Sequence, residues 1–482
     1  NSVAVYPERS EGSHTCTTLI LMNKMKRFQS QFFFLVMIIM MSCQSDKKDQ
    51  TNTKSKPVQL VTLDPGHFHA ALVQKSMYDD IDSVVYVYAP EGNDLKLHLD
   101  RINAYNSRAE SPTSWKEVVY TGNDFFEKMI AEKKGNVVVL SGNNEKKTEY
   151  ILKALDAGFN VLADKPMAIT PDDFELLKKA FDVAKEKDLL LYDIMTERFE
   201  INSILQREIA MIPEIFGTLE KGTADNPAVE MVSGHCFYKY ISGNVLTRPA
   251  WFFDASQQGE GIVDVTTHLI DLVQWECFPG QVLDHTKDIS IVDAKRWPTE
   301  MTASQFKLIT KLDSIPGFLE KNLVNDTSLA IYSNGEIEYT IRGVYAKTIV
   351  KWDYTTEAGF DTHYSIMRGT RANLIIRQGK EENYKPILYI EQLESGKSYD
   401  IEREFKKISV KFPGVELYKS ARGWSVKLPE KLAEGHESHF ARVTDNFLEY
   451  LKNKNMPAWE VPNMLAKYYT TTKALEIALK KK

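Results

Sequence analysis

The first part of the chain alternates short apolar runs with longer amphipathic segments. The apolar runs lie near residues 58–63, 84–88, 118–120, 137–140, 161–163 and 189–192, and most are followed by turn residues and a stretch with helical spacing. Short apolar runs of this kind are typical of strands buried on both faces of a sheet. Because strand and helix alternate from residue 57 to about 195, the pattern predicts a Rossmann-type, doubly wound parallel sheet.

Beyond about residue 199 the pattern changes. A helix is predicted near 204–211, and extended runs rich in aromatic and β-branched residues follow near 228–240, 328–332, 337–341, 349–354 and 387–390. Their period-two spacing predicts a large, open, mostly antiparallel sheet. Helical spacing returns near 438–451 and 466–479. The pattern therefore predicts an α/β protein with a leader at 1–56, a dinucleotide-binding domain at 57–197 and an α+β substrate domain at 198–482.

Composition narrows the functional classes. The 482 residues carry a net charge of −6, and no basic stripe is present, so we expect no nucleic-acid partner. The four cysteines, Cys16, Cys43, Cys236 and Cys277, have neither zinc-type spacing nor the pattern of a disulfide framework. We therefore expect no structural metal and no disulfide scaffold.

The segment at 25–56 has the pattern of a lipoprotein leader. A charged start at 25–27 precedes an apolar stretch at 32–41, which is short for a membrane span, and the chain then reads Met-Ser-Cys to Cys43. This ending resembles a bacterial lipobox, in which the cysteine is lipidated, and a polar tether follows at 44–56. We expect a periplasmic protein of the cell envelope, anchored through Cys43; the alternative is a buried or anchoring apolar segment with an incidental cysteine.

The stretch Asp164-Lys165-Pro166 is the first candidate for chemistry. It follows an apolar strand-like run, and the proline biases Lys165 toward an extended conformation. Lys165 should therefore lie at the carboxyl end of a buried strand, the edge where open α/β sheets bind ligands. There it can hydrogen-bond a substrate hydroxyl; the alternative is a solvated lysine.

The turn after the first strand reads Asp64-Pro65-Gly66-His67-Phe68-His69. A dinucleotide fold places Gly-x-Gly-x-x-Gly here, and only the middle glycine, Gly66, is present. Asp64 crowds the turn and repels a pyrophosphate, although the helix N-terminus still offers N–H groups. We expect the two histidines to cap the helix or line the cleft rather than bind metal. The acid expected to hold the ribose comes two residues late, as Glu91.

The second candidate segment is Gly259-Glu260-Gly261 followed by Asp264, His268 and Asp271. A helix predicted over 262–275 places the last three, with Trp275, on one face. The rest of that helix is largely apolar, so a stripe of two acids and a histidine is costly unless it lines a polar cavity. The alternative is a structural aspartate and a surface histidine.

These two segments, in this order, resemble the Gfo/Idh/MocA family, named for glucose–fructose oxidoreductase and inositol dehydrogenase. Members carry Glu-Lys-Pro after a strand-helix-strand unit and a Gly-Gly-x-x-x-Asp-x-x-x-His segment; Asp164 and Glu260 are departures from these motifs. The resemblance implies NAD(P)-dependent hydride transfer at a sugar or polyol carbinol, with Lys165, Asp264 and His268 around the reacting carbon. NAD is expected in preference to NADP because Glu91 would repel a 2′-phosphate.

The family reading implies two sets of contacts. We expect cofactor contacts from Gly66, His67, Phe68, Glu91, Ser141, Asn143, Asp164 and Lys165, and substrate contacts from Arg248, Trp251, Asp264 and His268. We expect a sugar, polyol or glycoside as the small-molecule partner, and a homo-oligomer. Two alternatives stay open: an NAD-dependent glycoside-cleaving enzyme of the same family, and a non-enzymatic glycan-binding lipoprotein that has lost the cofactor.

Overall fold

A computed structural model describes residues 58–481, apart from 242–243, 325–326 and 356–358. The predicted signal peptide, the lipobox with Cys43 and the tether lie outside the described residues, so anchoring stays a prediction, as does the oligomeric state. None of the helices in the described ranges is long and apolar enough to cross a membrane.

Six parallel strands form the first sheet, and helices connect them. The strands are β1 (Leu60–Leu63), β2 (Val84–Tyr88), β3 (Lys116–Tyr120), β4 (Val137–Leu140), β5 (Asn160–Asp164) and β6 (Leu191–Ile194), in the spatial order β3-β2-β1-β4-β5-β6. The helices are α1 (His69–Leu72), α2 (Asn93–Ser107), α3 (Phe125–Glu132), α4 (Lys147–Asp156) and α5 (Pro171–Glu186). The predicted Rossmann-type sheet is confirmed.

The position of the cleft follows from this strand order. All residues of β1 and β4 are buried, as their apolar runs predict. The order reverses between β1 and β4, and the crevice at such a switch point is where open α/β sheets bind ligands. The start of α5 is fixed by a capping box, in which the Thr170 side chain accepts from Asp173 N at 3.1 Å and Asp173 accepts from Thr170 N at 3.0 Å.

The second sheet is large and mostly antiparallel. Its strands are β7 (Val229–Cys236), β10 (Ile289–Thr302), β11 (Leu323–Val324), β12 (Ser328–Ile341), β13 (Val344–Asp353), β14 (Thr362–Arg368), β15 (Ala372–Gln378), β16 (Ile387–Gln392), β17 (Glu416–Ser420) and β18 (Gly423–Lys427); β8 (Tyr240–Ile241) and β9 (Asn244–Val245) form a separate hairpin. Only the pair β13–β7 is parallel among these strands. The predicted sheet is confirmed, and the runs expected at 328–332 and 337–341 are one strand, β12.

Helices cover this sheet and return to the first. They are α6 (Ile201–Ala210), α7 (Ala255–Gln258), α8 (Thr266–Cys277), α9 (Ala303–Thr310), α10 (Ile401–Lys411), α11 (His436–Asn453) and α12 (Glu460–Lys480). Phe440 and Phe447 of α11 lie in the core of the first sheet, and Leu475 of α12 lies in the core of the second. The C-terminal helices therefore pack on both sheets and hold the cleft between them.

A buried histidine in α2 makes the fold sensitive to acid. His98 is 2 % exposed, and neither ring nitrogen has a hydrogen-bond partner in the described chain. Burial, and then the charge of Arg101, lowers the pKa of His98 from 6.5 to about 4. Since the unfolded chain binds the proton more tightly, the stability that neutral His98 provides is present above pH 6.5 and is lost as the pH falls toward 4.

We therefore expect His98→Leu to reduce the acid sensitivity. Between about pH 7 and pH 5 the wild type should lose roughly 2 kcal/mol more of its free energy of unfolding than the variant does. Urea unfolding followed by circular dichroism at both pH values measures this difference. If the free energy of unfolding changes equally with pH in the two proteins, His98 is not a buried, neutral histidine with a lowered pKa.

Candidate active site

Lys165 and Asp264 meet although they come from different domains. Lys165 directly follows β5, and its Nζ lies 2.7 Å from Asp264 Oδ1. Gln258 Nε2 donates to the other carboxylate oxygen of Asp264 at 2.9 Å. Both members of the ion pair are largely buried, with side chains 13 % and 8 % exposed. The carboxyl end of the first sheet therefore presents a lysine whose position is fixed by the second domain.

The predicted helix boundary is wrong at this point. α8 begins at Thr266, not near 262, and Asp264 lies in the turn before it, with its N–H donating to Glu260 O at 2.9 Å. The turn is tight because a Cβ on Gly261 would lie 1.7 Å from the carbonyl oxygen of Ser333. Asp264 is therefore positioned by a turn whose backbone packs against Ser333 of β12, and not by the helix itself.

Glu260, which departs from the family motif, points into a separate ion pair. Its two oxygens accept from Arg296 Nε at 2.5 Å and Nη2 at 2.7 Å. The guanidinium of Arg296 lies 3.7 Å from the ring centre of Tyr332. The extra side chain thus ties the loop to β10 and β12.

His268 lies in the first turn of α8, and its electrostatic state differs from that of Lys165. Burial and the charge of Lys165 lower the pKa of His268 well below its usual value, and Nδ1 has no partner among the described residues. Burial disfavours the charge on Lys165, but the carboxylates of Asp264 and Asp164 outweigh burial and raise the lysine pKa. At neutral pH the site therefore pairs a protonated lysine with a neutral imidazole.

Asp271 does not belong to this site, contrary to the prediction from the helix face. Its carboxylate accepts from Arg198 Nε at 2.6 Å and Nη2 at 2.7 Å, and from Lys467 Nζ at 2.9 Å. Burial opposes its charge, but Arg198 and Lys467 lower the pKa of Asp271 far below its usual value. The acid is therefore part of a buried ionic network under the cleft.

The glycine turn is narrow and acidic. Asp64 has a φ of 47°, so an aspartate adopts the left-handed conformation that the missing glycine would take. A Cβ on Gly66 would lie 3.0 Å from the Trp251 ring and 3.2 Å from the Asp94 carboxylate. Trp251 Nε1 donates to Asp94 at 2.7 Å. Burial, and then the charge of Asp94, raises the pKa of Asp64 to about 6.

Of the other residues expected to contact the cofactor, two bind protein groups, one is exposed and one is partly buried. Ser141 Oγ donates to Asp164 Oδ2 at 2.8 Å, and Asn143 Nδ2 donates to Gln257 of α7 at 2.8 Å. Ser141 therefore links the end of β4 to the end of β5, and Asn143 links it to α7 of the second domain. Glu91 is exposed in the loop between β2 and α2, and Phe68 packs partly buried against the first core.

Arg248 packs against the aromatic side chains of Phe252 and Trp352, which together form what we call the aromatic wall. Its guanidinium lies 4.4 Å from the ring centre of Phe252 and 5.3 Å from that of Trp352, and it donates to the carbonyl oxygen of Phe237 at 3.3 Å. Phe252, Trp352 and Asp264 border a cavity of about 20 Å³. Arg248 is only 8 % exposed, so its guanidinium contacts these aromatic rings and not the solvent.

A histidine cluster lies beside Lys165. His69 Nδ1 is 2.9 Å from Asp164 Oδ2, His67 Nδ1 is 3.4 Å from the same oxygen, and His436 Nε2 is 2.9 Å from His69 Nε2. The sequence left capping or cleft lining open for His67 and His69, and the contacts favour cleft lining. Both rings face Asp164 Oδ2, and His67 and Asp164 were both expected to contact the cofactor.

Glu197 and Gln258 were missed. Glu197 follows β6 in a short 3₁₀ helix, and burial, with the nearby Glu200, raises its pKa to about 7. The signal was present in the sequence, because a carboxylate three residues beyond a buried strand lies at the same sheet edge as Lys165. Gln258 had no such signal, since its role depends on contact with Asp264.

Comparisons with known proteins agree with this architecture. Residues 66–192 match a family model described as "Oxidoreductase family, NAD-binding Rossmann fold", and residues 205–479 match "Putative oxidoreductase C terminal domain". A search among curated protein sequences gives no match.

Solved structures with the same fold extend this result. A crystal structure described as a putative oxidoreductase from Parabacteroides merdae is 53 % identical, with a TM-score of 0.87, and the match covers 89 % of this chain and 98 % of that one. Levoglucosan dehydrogenase in complex with NADH and levoglucosan is 13 % identical, with a TM-score of 0.56 and coverages of 88 % and 98 %. A 3-ketoreductase from Actinomadura kijaniata, solved with NADP, is 14 % identical, with a TM-score of 0.51 and coverages of 85 % and 95 %. The chain belongs to the Gfo/Idh/MocA family of oxidoreductases.

Proposed function

We propose that this protein transfers a hydride between a nicotinamide dinucleotide, preferentially NAD, and a carbinol carbon of a sugar or polyol. The observation that carries the proposal is the charge arrangement of the site. A buried, protonated Lys165 held by Asp264 lies within electrostatic range of a neutral His268. Oxidation of a carbinol needs such a pair, because one group must stabilise the developing alkoxide while another accepts its proton.

The glycine turn fits a dinucleotide under one electrostatic condition. Gly66 packs closely against the Trp251 ring, and Gly142 packs against the other side of the turn, where a Cβ would lie 2.2 Å from Asp64 O. The acid at Asp64 opposes a pyrophosphate, but its raised pKa allows a proton to neutralise it. Gly66 would approach the pyrophosphate, and Glu91 is free to reach the adenosine ribose.

Lys165, Asp264 and His268 have different roles at the carbinol. A bound nicotinamide supplies the hydride acceptor. Lys165 Nζ donates a hydrogen bond to the carbinol oxygen, and Asp264 fixes the direction of that ammonium group. The imidazole of His268 accepts the hydroxyl proton on a ring nitrogen. Phe252 and Trp352 border the same cavity as Asp264, and this cavity would have to widen before a sugar ring could lie against their apolar faces.

Neighbouring structures support a sugar substrate. The levoglucosan dehydrogenase structure contains levoglucosan, and the A. kijaniata enzyme is a 3-ketoreductase. Their similarity to this chain is one of fold, so the substrate class is inferred from it together with the aromatic wall and the hydroxyl-directed Lys165 and Asp264.

A second candidate function is glycoside cleavage through a transient ketone. Glu197 favours it, because a half-buried carboxyl group with a pKa of about 7 is partly protonated at neutral pH. A ketone acidifies the neighbouring C–H, so a basic group can remove that proton as the bond to the glycosidic oxygen breaks. Glu197 protonates the departing oxygen, and water then adds to the resulting enone. Release of a free aglycone from a glycoside, with no net change of the nicotinamide, distinguishes this function from simple dehydrogenation.

The test is cofactor binding with a matched pair of glycine variants. We expect a nicotinamide dinucleotide in the mass spectrum of the denatured protein, or binding of added NADH, with NADH preferred over NADPH. Gly66→Ala should weaken NADH binding by roughly tenfold or more because its Cβ would press on the Trp251 ring and displace the turn that is proposed to approach the pyrophosphate. Gly317→Ala is the control, since a Cβ there meets no atom within 4 Å.

Three results would overturn parts of this proposal. Absence of any dinucleotide, together with no binding on addition, would favour the non-enzymatic glycan-binding protein. Equal binding by the Gly66 and Gly317 variants would place the pyrophosphate away from Gly66. A clear preference for NADPH would contradict the role given to Glu91.

A further inference from the structure

The histidine cluster beside Lys165 has the composition of a metal site. His67 and His69 come from the turn into α1, Asp164 ends β5, and His436 begins α11. His69 is 6 % exposed and Asp164 is 3 % exposed. The side chain of His67 is 29 % exposed, so the cluster opens toward solvent on the His67 side.

The donor atoms are close to metal-binding distances. His67 Nδ1 and His69 Nδ1 lie 3.4 Å and 2.9 Å from Asp164 Oδ2, and one ligand atom from each residue lies within 4.8 Å of the other two. Bonds of about 2.0–2.2 Å in tetrahedral geometry separate two ligand atoms by about 3.3 Å. The two N–O separations are therefore within a few tenths of an ångström of those around a bound ion.

One carboxylate oxygen in the cluster lacks a partner. Asp164 Oδ1 is buried and accepts no hydrogen bond from any described residue, whereas Oδ2 accepts one from Ser141 Oγ at 2.8 Å. A buried anionic oxygen is costly when it is unpaired. Lys165 and Lys147 lie close enough to offset part of the charge of Asp164, but neither contacts Oδ1, and a cation at the cluster would supply that contact.

The hydrogen-bond pattern leaves both imidazoles able to ligate. His67 Nδ1 accepts the backbone N–H of His69 at 3.4 Å, and a nitrogen that accepts this bond carries a lone pair beside Asp164. When His69 Nε2 donates to His436 Nε2, its Nδ1 is likewise unprotonated and faces the carboxylate. Two lone pairs directed at a carboxylate repel it unless a cation lies between them.

We propose that His67 Nδ1, His69 Nδ1 and Asp164 bind one divalent transition-metal ion, with Zn²⁺ the best match. Two imidazoles and one carboxylate, with a further position open to water or substrate, form a donor set that Zn²⁺ uses in proteins. His436 is a positioning residue that holds the ring of His69. From the sequence alone two histidines on a turn predicted no metal, because Asp164 and His436 lie 95 and 367 positions away from His69. This inference goes beyond the proposed function, since the site needs no dinucleotide.

Calorimetric titration of the chelator-treated full chain with Zn²⁺ tests the proposal. We expect one ion bound per chain and a rise in the thermal unfolding midpoint. His67→Gln removes a ligand from the most exposed position, and Asp164→Asn removes the charge while keeping the shape. Each should weaken Zn²⁺ binding by more than roughly tenfold, and His436→Asn should weaken it by about 10–100-fold, the usual effect of losing the partner that orients a ligating histidine.

The same Zn²⁺ titration is applied to a control variant, and it can also contradict the proposal. His285→Gln changes a partly exposed histidine that packs on Phe174, and it should bind Zn²⁺ as the wild type does. Circular dichroism establishes that each variant is folded, and His67→Gln remains decisive if Asp164→Asn does not fold. Absence of stoichiometric Zn²⁺ binding by the wild type, or binding that is unchanged in His67→Gln, would overturn the proposal.

Discussion

Replacing His268 with glutamine is expected to lower turnover by about 10²-fold or more while the thermal unfolding midpoint stays near that of the wild type. Glutamine fills a similar volume but cannot accept the hydroxyl proton as a neutral imidazole does. The side chain has no hydrogen bond to a described residue at Nδ1, so little structure depends on it. Single-turnover reduction of bound NAD by the substrate measures the chemical step directly.

The control for this prediction is His285→Gln, which alters a histidine outside the site and should retain full turnover. A His268→Gln enzyme with wild-type turnover would remove His268 from the mechanism. A large fall in the unfolding midpoint would instead give the residue a structural role.

Replacing Lys467 with methionine is expected to cost roughly 3–5 kcal/mol of stability, the usual cost of removing one partner from a buried ionic group. Lys467 is fully buried, and its Nζ lies 2.6 Å from Asp193 and 2.9 Å from Asp271. Without the ammonium group, Asp271 keeps Arg198, and Asp193 keeps the hydroxyl of Tyr468 at 2.9 Å. Two buried carboxylates then share too little positive charge.

Lys473→Met is the matched control for this prediction, because Lys473 is on the same helix but 40 % exposed and paired with Glu476. Its loss should change the free energy of unfolding by no more than about 1 kcal/mol. Urea unfolding followed by circular dichroism compares the two variants. Equal, small effects would show that the buried network contributes little to stability.

The sequence predicted the parts of the site that depend on local pattern. The strand before Lys165 and the proline after it were sufficient to place the lysine at the sheet edge. The spacing of Asp264 and His268 was sufficient to associate both with the start of one helix, although that helix begins at Thr266 rather than near 262. These features depend on backbone geometry over a few residues, and such geometry can be read from sequence.

The parts that were wrong or missed depend on distant partners. Asp271 was expected in the cleft because helix periodicity identifies a shared face, but it does not identify what packs against each position. Its partners Arg198 and Lys467 lie 73 and 196 positions away in the chain. Gln258 acquires its role only when the turn before α8 folds back on it, and Glu260 finds Arg296 on a strand 36 positions further on. Pairings of this kind require the tertiary structure.

Transfer of deuterium from substrate to dinucleotide tests the central claim most directly. The protein is incubated with NAD and a panel of hexoses and polyols that carry deuterium at the carbinol carbons, then denatured, and the dinucleotide is analysed by mass spectrometry. The account predicts that at least one sugar delivers one deuterium to the nicotinamide and that His268→Gln slows this transfer by about 10²-fold or more. The account would be contradicted if the protein binds the dinucleotide but no sugar or polyol transfers deuterium to the nicotinamide.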